Sequence, residues 1–92
     1  MDWTKYGHVI ASKYRKKIVI ALANGPKTPK QISEDTKLYL SHVSCIINDL
    51  LKRGVIECLT PNLRKGKIFS LSSDGKEIAK RLKKIEEVFY DR

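Results

Sequence analysis

The sequence predicts an α+β domain with a three-helix core, a two-stranded hairpin and a long C-terminal helix, all within 92 residues. Three observations carry that prediction. A capped short helix runs from Thr28 to Thr36, an amphipathic helix follows from Tyr39 to Arg53, and a hairpin from Val55 to Leu71 bends at Arg64-Lys65-Gly66-Lys67. On a chain of formal net charge +9, two short helices followed by a basic hairpin form an arrangement suited to press on nucleic acid.

The first element is read from Trp3 to Ala23. Tyr6, Ile10, Tyr14, Ile18 and Leu22 recur at helical spacing, with Val9 and Ala21 beside them, and predict one long helix. Asn24-Gly25-Pro26 ends it, since Gly25 suits a left-handed cap and Pro26 forbids continuation. Trp3 and Tyr6 lie beyond what a three-helix core requires and are free to pack on another subunit.

Thr28-Pro29-Lys30-Gln31 is a start signal. Thr28 serves as N-cap, Pro29 occupies the first helical position where its missing N–H does no harm, and Gln31 completes a capping box. Ile32 points inward and Lys37-Leu38 makes the turn. In the next helix Val43, Ile46, Ile47, Leu50 and Leu51 form one apolar stripe. Ser41, Cys45, Asn48 and Lys52 lie opposite, flanked by His42, Ser44 and Asp49. That outward face is small and polar near its start, so it can approach base edges closely.

Arg53-Gly54 ends this helix. Val55-Ile56-Glu57-Cys58-Leu59 begins a strand, Pro61-Asn62 and Lys65-Gly66 bracket a turn, and Lys67-Ile68-Phe69-Ser70-Leu71 alternates as a half-buried return strand. Ser72-Ser73-Asp74 supplies N-cap residues, after which Ile78, Leu82, Ile85 and Phe89 follow at spacings of four, three and four. The resulting helix of about 25 Å is longer than one small domain covers, which points to a seam between subunits.

Length and composition bound the rest. The chain forms a single domain, residues 1–92, with a core of about 12–72 and a dimerisation helix of about 73–90. The 19 Lys and Arg against 10 Asp and Glu predict attraction to polyanions. A membrane is the weaker partner, because the longest apolar run, Ile18 to Ala23, falls far short of the roughly 20 residues a span needs and no signal peptide opens the chain. The expectation is a soluble, cytoplasmic protein. Cys45 and Cys58 stand apart without a CxxC or a Cys/His cluster, so neither a zinc site nor a disulfide framework is implied, and no cofactor is expected.

On Tyr14-Arg15-Lys16-Lys17-Ile18, Thr28-Pro29-Lys30-Gln31-Ile32, Leu40-Ser41-His42-Val43-Ser44, Leu50-Leu51-Lys52-Arg53-Gly54-Val55-Ile56, Lys65-Gly66-Lys67-Ile68-Phe69-Ser70-Leu71-Ser72 and Gly75, the chain resembles winged helix-turn-helix transcription regulators of the ArsR/MarR type. It is most similar to the short archaeal single-domain regulators of that group, over about Ser12 to Lys83. The resemblance implies a dimeric, double-stranded DNA-binding regulator with the second helix of the pair in the major groove and the wing on the backbone or minor groove. The metal-sensing branch carries clustered cysteines where this chain has Leu38-Tyr39-Leu40-Ser41-His42, so metal sensing is not implied. The helices that form the ligand cleft of larger MarR-type regulators are also absent.

The candidate DNA-binding residues follow from these readings. Ser41, His42, Ser44, Cys45 and Asn48 are assigned to the groove, with Asn48 as the base reader, because Asn pairs bidentately with adenine and Ser accepts either base type. Tyr39 and Lys52, at the two ends of the helix, are assigned to phosphate, as are Lys30 and Gln31 at the start of the preceding helix. Arg64, Lys65 and Lys67 on the wing grip phosphates or reach the minor groove. The bland alternative in each case is a solvated surface. His42, Cys45 and Asp49 share a stripe but lack a fourth ligand, and are not taken as a metal site.

Trp3, Tyr6, Ile10, Ile78, Leu82, Ile85 and Phe89 are assigned to a homodimer seam, against the alternative that the terminal helices simply pack on each other. No nucleophile elbow, phosphate loop, paired acidic site or metal cluster is present, so an enzyme is not expected. Two other classes remain: a protein-interaction winged helix of the transcription machinery, and a sequence-indifferent architectural protein that coats DNA.

Overall fold

The computed structural model describes residues 2–90, with side chains described through residue 84. The order is α1 (Trp3–Ile10), α2 (Lys13–Ala23), α3 (Pro29–Thr36), α4 (Leu40–Lys52), β1 (Ile56–Cys58), β2 (Phe69–Leu71) and α5 (Ser73–Tyr90). This is a winged helix of five helices and a two-stranded antiparallel sheet.

The expected single helix from Trp3 to Ala23 is in fact two. Ser12 leaves helical geometry at φ −135° and ψ 125°, and its hydroxyl accepts from the Arg15 N–H to cap α2. Apolar residues spaced strictly by four turn by about 40° per step around a 3.6-residue helix. Tyr6 and Leu22 would therefore face nearly opposite ways on a continuous rod. The break re-aims α1 so that Val9, fully buried, joins the same core as Ile18 and Leu22. The Asp2 carboxylate caps α1 by accepting from Thr4 and Lys5.

α3 forms as its sequence dictates. The Thr28 hydroxyl accepts from Gln31 at 3.2 Å and the Gln31 side-chain carbonyl accepts from Thr28 at 2.9 Å, with Pro29 in the first turn. Lys37 closes it in the left-handed region at φ 62°. The Ser33 hydroxyl then donates to the Leu38 carbonyl at 2.5 Å, which fixes the entry to α4.

β1 and β2 pair Ile56 with Leu71, Glu57 with Ser70 and Cys58 with Phe69. A third backbone segment joins on the far edge of β2: Lys27 and Phe69 exchange both N–H···O bonds, at 3.0 and 2.9 Å. The sheet is thereby tied to the loop before α3, a link the hairpin reading did not include.

Ser72 is the joint between sheet and last helix. Its hydroxyl donates to the Gly54 carbonyl at 2.6 Å, with the Val55 carbonyl at 2.9 Å, and accepts from the Gly75 N–H at 3.1 Å. Gly75 sits so close to the chain ahead of β1 that a Cβ there would lie 2.1 Å from the Val55 carbonyl oxygen. The Lys5 ammonium bridges to Asp74 at 2.6 Å, pinning α1 to the first turn of α5.

The core is drawn from every helix and from the sheet, with Ile18, Ile32, Val43, Leu50, Val55 and Ile78 among its fully buried members. Ile78 and Leu82, assigned to a subunit seam, are only 1% and 5% exposed and pack inside this chain's own core, because α5 lies on α2 and β2. Tyr6 is half-buried against the same core. Ile85 and Phe89 lie outside the residues whose side chains are described.

Candidate nucleic-acid interface

α4 is two-faced. Val43, Ile47 and Leu50 are buried, while Ser41, Ser44, Cys45, Asn48 and Lys52 are exposed along the opposite side. The exposed face carries short polar side chains at its start and a cation at its end. The backbone of such a helix can come within reach of base edges without long side chains holding it off. Tyr39 stands in front as the N-cap residue, 85% exposed, and Leu40 beside it is half-exposed.

His42 is exposed, but its ring is set edge-on against Tyr14 of α2, with centroids 4.8 Å apart. That contact gives α4 a fixed azimuth on α2. Asp49, the one carboxylate of α4, is turned toward the body of the domain. His8 Nε2–H donates to it at 2.5 Å, and Arg15 and Arg53 approach at 3.6 and 3.7 Å. The hydrogen bond from His8 holds the Asp49 carboxyl below its usual range, with the two guanidinium charges adding to it against partial burial. Arg15 also donates to the His8 carbonyl at 2.8 Å. The only negative charge on the helix is thus offset by Arg15 of α2 and Arg53 at the end of α4, with His8 of α1 hydrogen-bonded to it, and the exposed face presents none.

Asp49 is therefore engaged away from Cys45. Among the described residues no group of three His, Cys, Asp or Glu side chains is placed to hold a metal.

The wing spans the loop between the strands. Leu59 N–H donates to Ile68 at 2.8 Å, Ile68 N–H to the Thr60 hydroxyl at 2.9 Å, and Leu63 N–H to Thr60 at 3.1 Å around Pro61-Asn62. Gly66 takes φ 69°, a bend that a side chain would strain. Arg64 and Lys65 are exposed at the tip and Lys67 is half-buried. Lys30 and Gln31 are both exposed at the start of α3, although the Gln31 carbonyl is already used by the capping box.

Several features of this surface were not singled out in the sequence. Lys37 is exposed in the turn between α3 and α4, and Leu59 and Leu63 are each 48% exposed on the wing. Lys27, close by in chain order, is instead paired with Asp35. The positive φ of Lys37 has no signature in a residue type other than glycine or asparagine.

No family model matches this chain, and no curated protein matches its sequence. Solved structures do. The MarR family regulator NMB1585 from Neisseria meningitidis superposes with a TM-score of 0.80 at 27% identity, over 97% of this chain and 63% of its own. The winged helix-turn-helix DNA-binding domain of Mb0332 from Mycobacterium bovis, a homodimer described as a possible ArsR-family regulator, gives 0.71 at 19%, over 97% and 79%. NadR in complex with 4-hydroxyphenylacetate gives 0.78 at 18%, over 96% and 67%. The structural neighbours are winged helix transcription regulators of the MarR and ArsR families, which are not enzymes. This chain spans about two thirds of the length of NMB1585 and NadR. Among the described residues, no helix is long and apolar enough to cross a membrane.

Proposed function

We propose that this chain is a double-stranded DNA-binding transcription regulator that works as a homodimer, with α4 in the major groove and the wing on the backbone or minor groove. The observation that carries the reading is the face of α4. Ser41, Ser44, Cys45 and Asn48 are exposed together on a helix whose opposite side is locked into the core and whose only carboxylate is drawn inward. Asn48 is placed to read a base and Ser41 and Ser44 to adjust to either base type. Tyr39, Lys52, Lys30, Arg64 and Lys65 supply phosphate contacts that fix register without reading sequence.

Dimerisation is assigned to the exposed stripe of α1. Trp3 is 59% and Ile10 42% exposed, seven residues apart on one stripe of α1. Two recognition helices would then meet half-sites about one helical turn apart. The similar Mb0332 domain is a homodimer, which supports a homodimeric reading of this chain. A sequence-indifferent coating role fits less well, because the face of α4 is short and polar where a coating protein would place Lys and Arg.

Selection from a randomised duplex pool, with the retained fraction sequenced at two salt concentrations, tests the proposal. An enriched palindrome with half-sites about 10 bp apart is expected. Salt-sensitive retention without enrichment would instead favour coating, and no retention at low salt would remove DNA from the reading.

A further inference from the structure

A duplex lying against α4 and the wing leaves a second body of positive charge unused. Lys13, Lys16 and Lys17 stand on α2 and Lys76, Lys80 and Lys83 on α5, six of the chain's 19 basic residues. On α2, Tyr14 and Arg15 face α4 through His42 and Asp49. At 100° per residue the three α2 lysines project more than about 100° away from that direction. α5 packs on α2 and β2, so its lysines share this rear side.

The two lysine rows adjoin. One cleft, of about 470 Å³, is floored by Leu22, Ala23 and Ala79 and rimmed by Lys76, Lys80 and Lys83. Its neighbour, of about 490 Å³, is floored by Ile20 and Leu82, rimmed by Lys13, Lys16 and Lys17, and bordered on the α1 side by Tyr6 and Ile10. The stems can lie over these apolar floors while the ammonium groups stand clear.

Among the described residues four basic side chains are paired with carboxylates: Lys5 with Asp74, Lys27 with Asp35, and Arg15 and Arg53 with Asp49. Among the described residues none of the six lysines of the rear ridge has a carboxylate partner. Lys13 lies over the Tyr14 ring at 5.5 Å, a cation–π contact rather than a pairing with a carboxylate. On α5 the three ammonium groups form one stripe about 10 Å long. A row of unpaired point charges without a guanidinium fork suits regularly spaced phosphates better than a shaped carboxylate site.

We propose that the α2–α5 ridge is a second duplex-phosphate surface, so that one molecule holds its site with α4 and the wing and a further stretch of DNA on its back. The proposal rests on the DNA-binding reading of the front face. Its consequence is that the protein joins two duplexes as well as binding one.

The test uses the full chain, a biotinylated duplex carrying the selected site on beads, and a fluorescent duplex of unrelated sequence in solution. Retention of the fluorescent duplex at low salt and its loss at high salt are expected. A Lys76→Ala, Lys80→Ala, Lys83→Ala protein should keep its affinity for the bead duplex within about twofold and lose most of the retention. Alanine is the most favourable helix residue, so α5 is not weakened by these changes. Unchanged retention by the variant overturns the proposal. So does absence of retention by a wild-type protein that binds the bead duplex, which would leave the ridge to an acidic protein partner. Failure to bind the bead duplex at all is seen before the second duplex is added, and overturns the reading of α4 and the wing instead.

Discussion

His8 Nε2 lies 2.5 Å from Asp49 Oδ2, and that contact joins the first helix of the chain to the proposed DNA-reading helix. Arg15 draws the two closer by bonding the His8 carbonyl and approaching the same carboxylate. The orientation of α4 is thus set by charge as well as by its apolar stripe.

Asp49 has a lowered pKa in the folded state. Its contribution to stability is therefore present above the unfolded carboxylate range, near pH 3.9, and lost as pH falls through the folded value. Asp49→Asn should flatten the acid side of a stability-against-pH curve below about pH 4. At neutral pH, with the carboxylate 38% exposed, solvent screening keeps the loss under about 1 kcal/mol. Urea titrations of both proteins at several pH values check this. An unchanged acid limb would mean that the His8 and arginine contacts carry no net energy.

Gly75→Ala tests the closest packing in the fold. Alanine normally favours a helix over glycine by about 1 kcal/mol. Here the added methyl would meet the Val55 carbonyl oxygen at 2.1 Å. Backbone must move, and Ser72 hydrogen-bonds to both Val55 and Gly75. The substitution should destabilise by roughly 1–3 kcal/mol, read as a lowered denaturation midpoint. A gain in stability would show that α5 docks more loosely.

What could be read in advance was what is locally encoded. The start of α3 is written in Thr28, Pro29 and Gln31 because a capping box closes within four residues. The break at Ser12 was masked, since the spacing from Tyr6 to Leu22 continues through it and a hydroxyl cap looks like any surface serine. Lys27 pairs with Phe69 from far along the chain, and a single-residue bridge has no period to detect. The seam assigned to Ile78 and Leu82 failed for another reason. Periodicity shows that a helix has an apolar side, not which surface covers it, and α2 covers this one. On the proposed interface the exposed polar face of α4 was legible, while the inward turn of Asp49 required His8 and Arg15 from two other helices.

Substitutions at Asn48 and Lys65 should separate reading from holding. Asn48→Ala is expected to cost roughly 1–3 kcal/mol at one base pair of the selected site and little at other sequences. Lys65→Ala should weaken binding to all duplexes alike and reduce the salt slope by about one. Both are exposed, so neither change should move the melting temperature. Titration against the selected site and single-base variants, at several salt concentrations, distinguishes them. Equal loss on every sequence from Asn48→Ala would remove it as the base reader.

The proposed dimer face makes a different demand on Trp3. Its ring meets Tyr6 edge-on with centroids 5.7 Å apart, and the Arg81 guanidinium lies 4.8 Å over it, yet 59% of the residue is exposed. An indole pre-set in this way by Tyr6 and Arg81 loses little freedom on burial against a second subunit. A central aromatic of an interface commonly contributes about 2 kcal/mol or more, so Trp3→Ala should weaken the dimer by roughly thirtyfold. Because the residue lies outside the buried core, the far-ultraviolet spectrum should be retained. Sedimentation equilibrium across a concentration series gives the dimer constant, and the same variant should bind a single half-site as well as the wild type while losing its advantage on the palindrome. An unchanged dimer constant would move the subunit contact off α1, since Ile78 and Leu82 of α5 are already spent inside the chain.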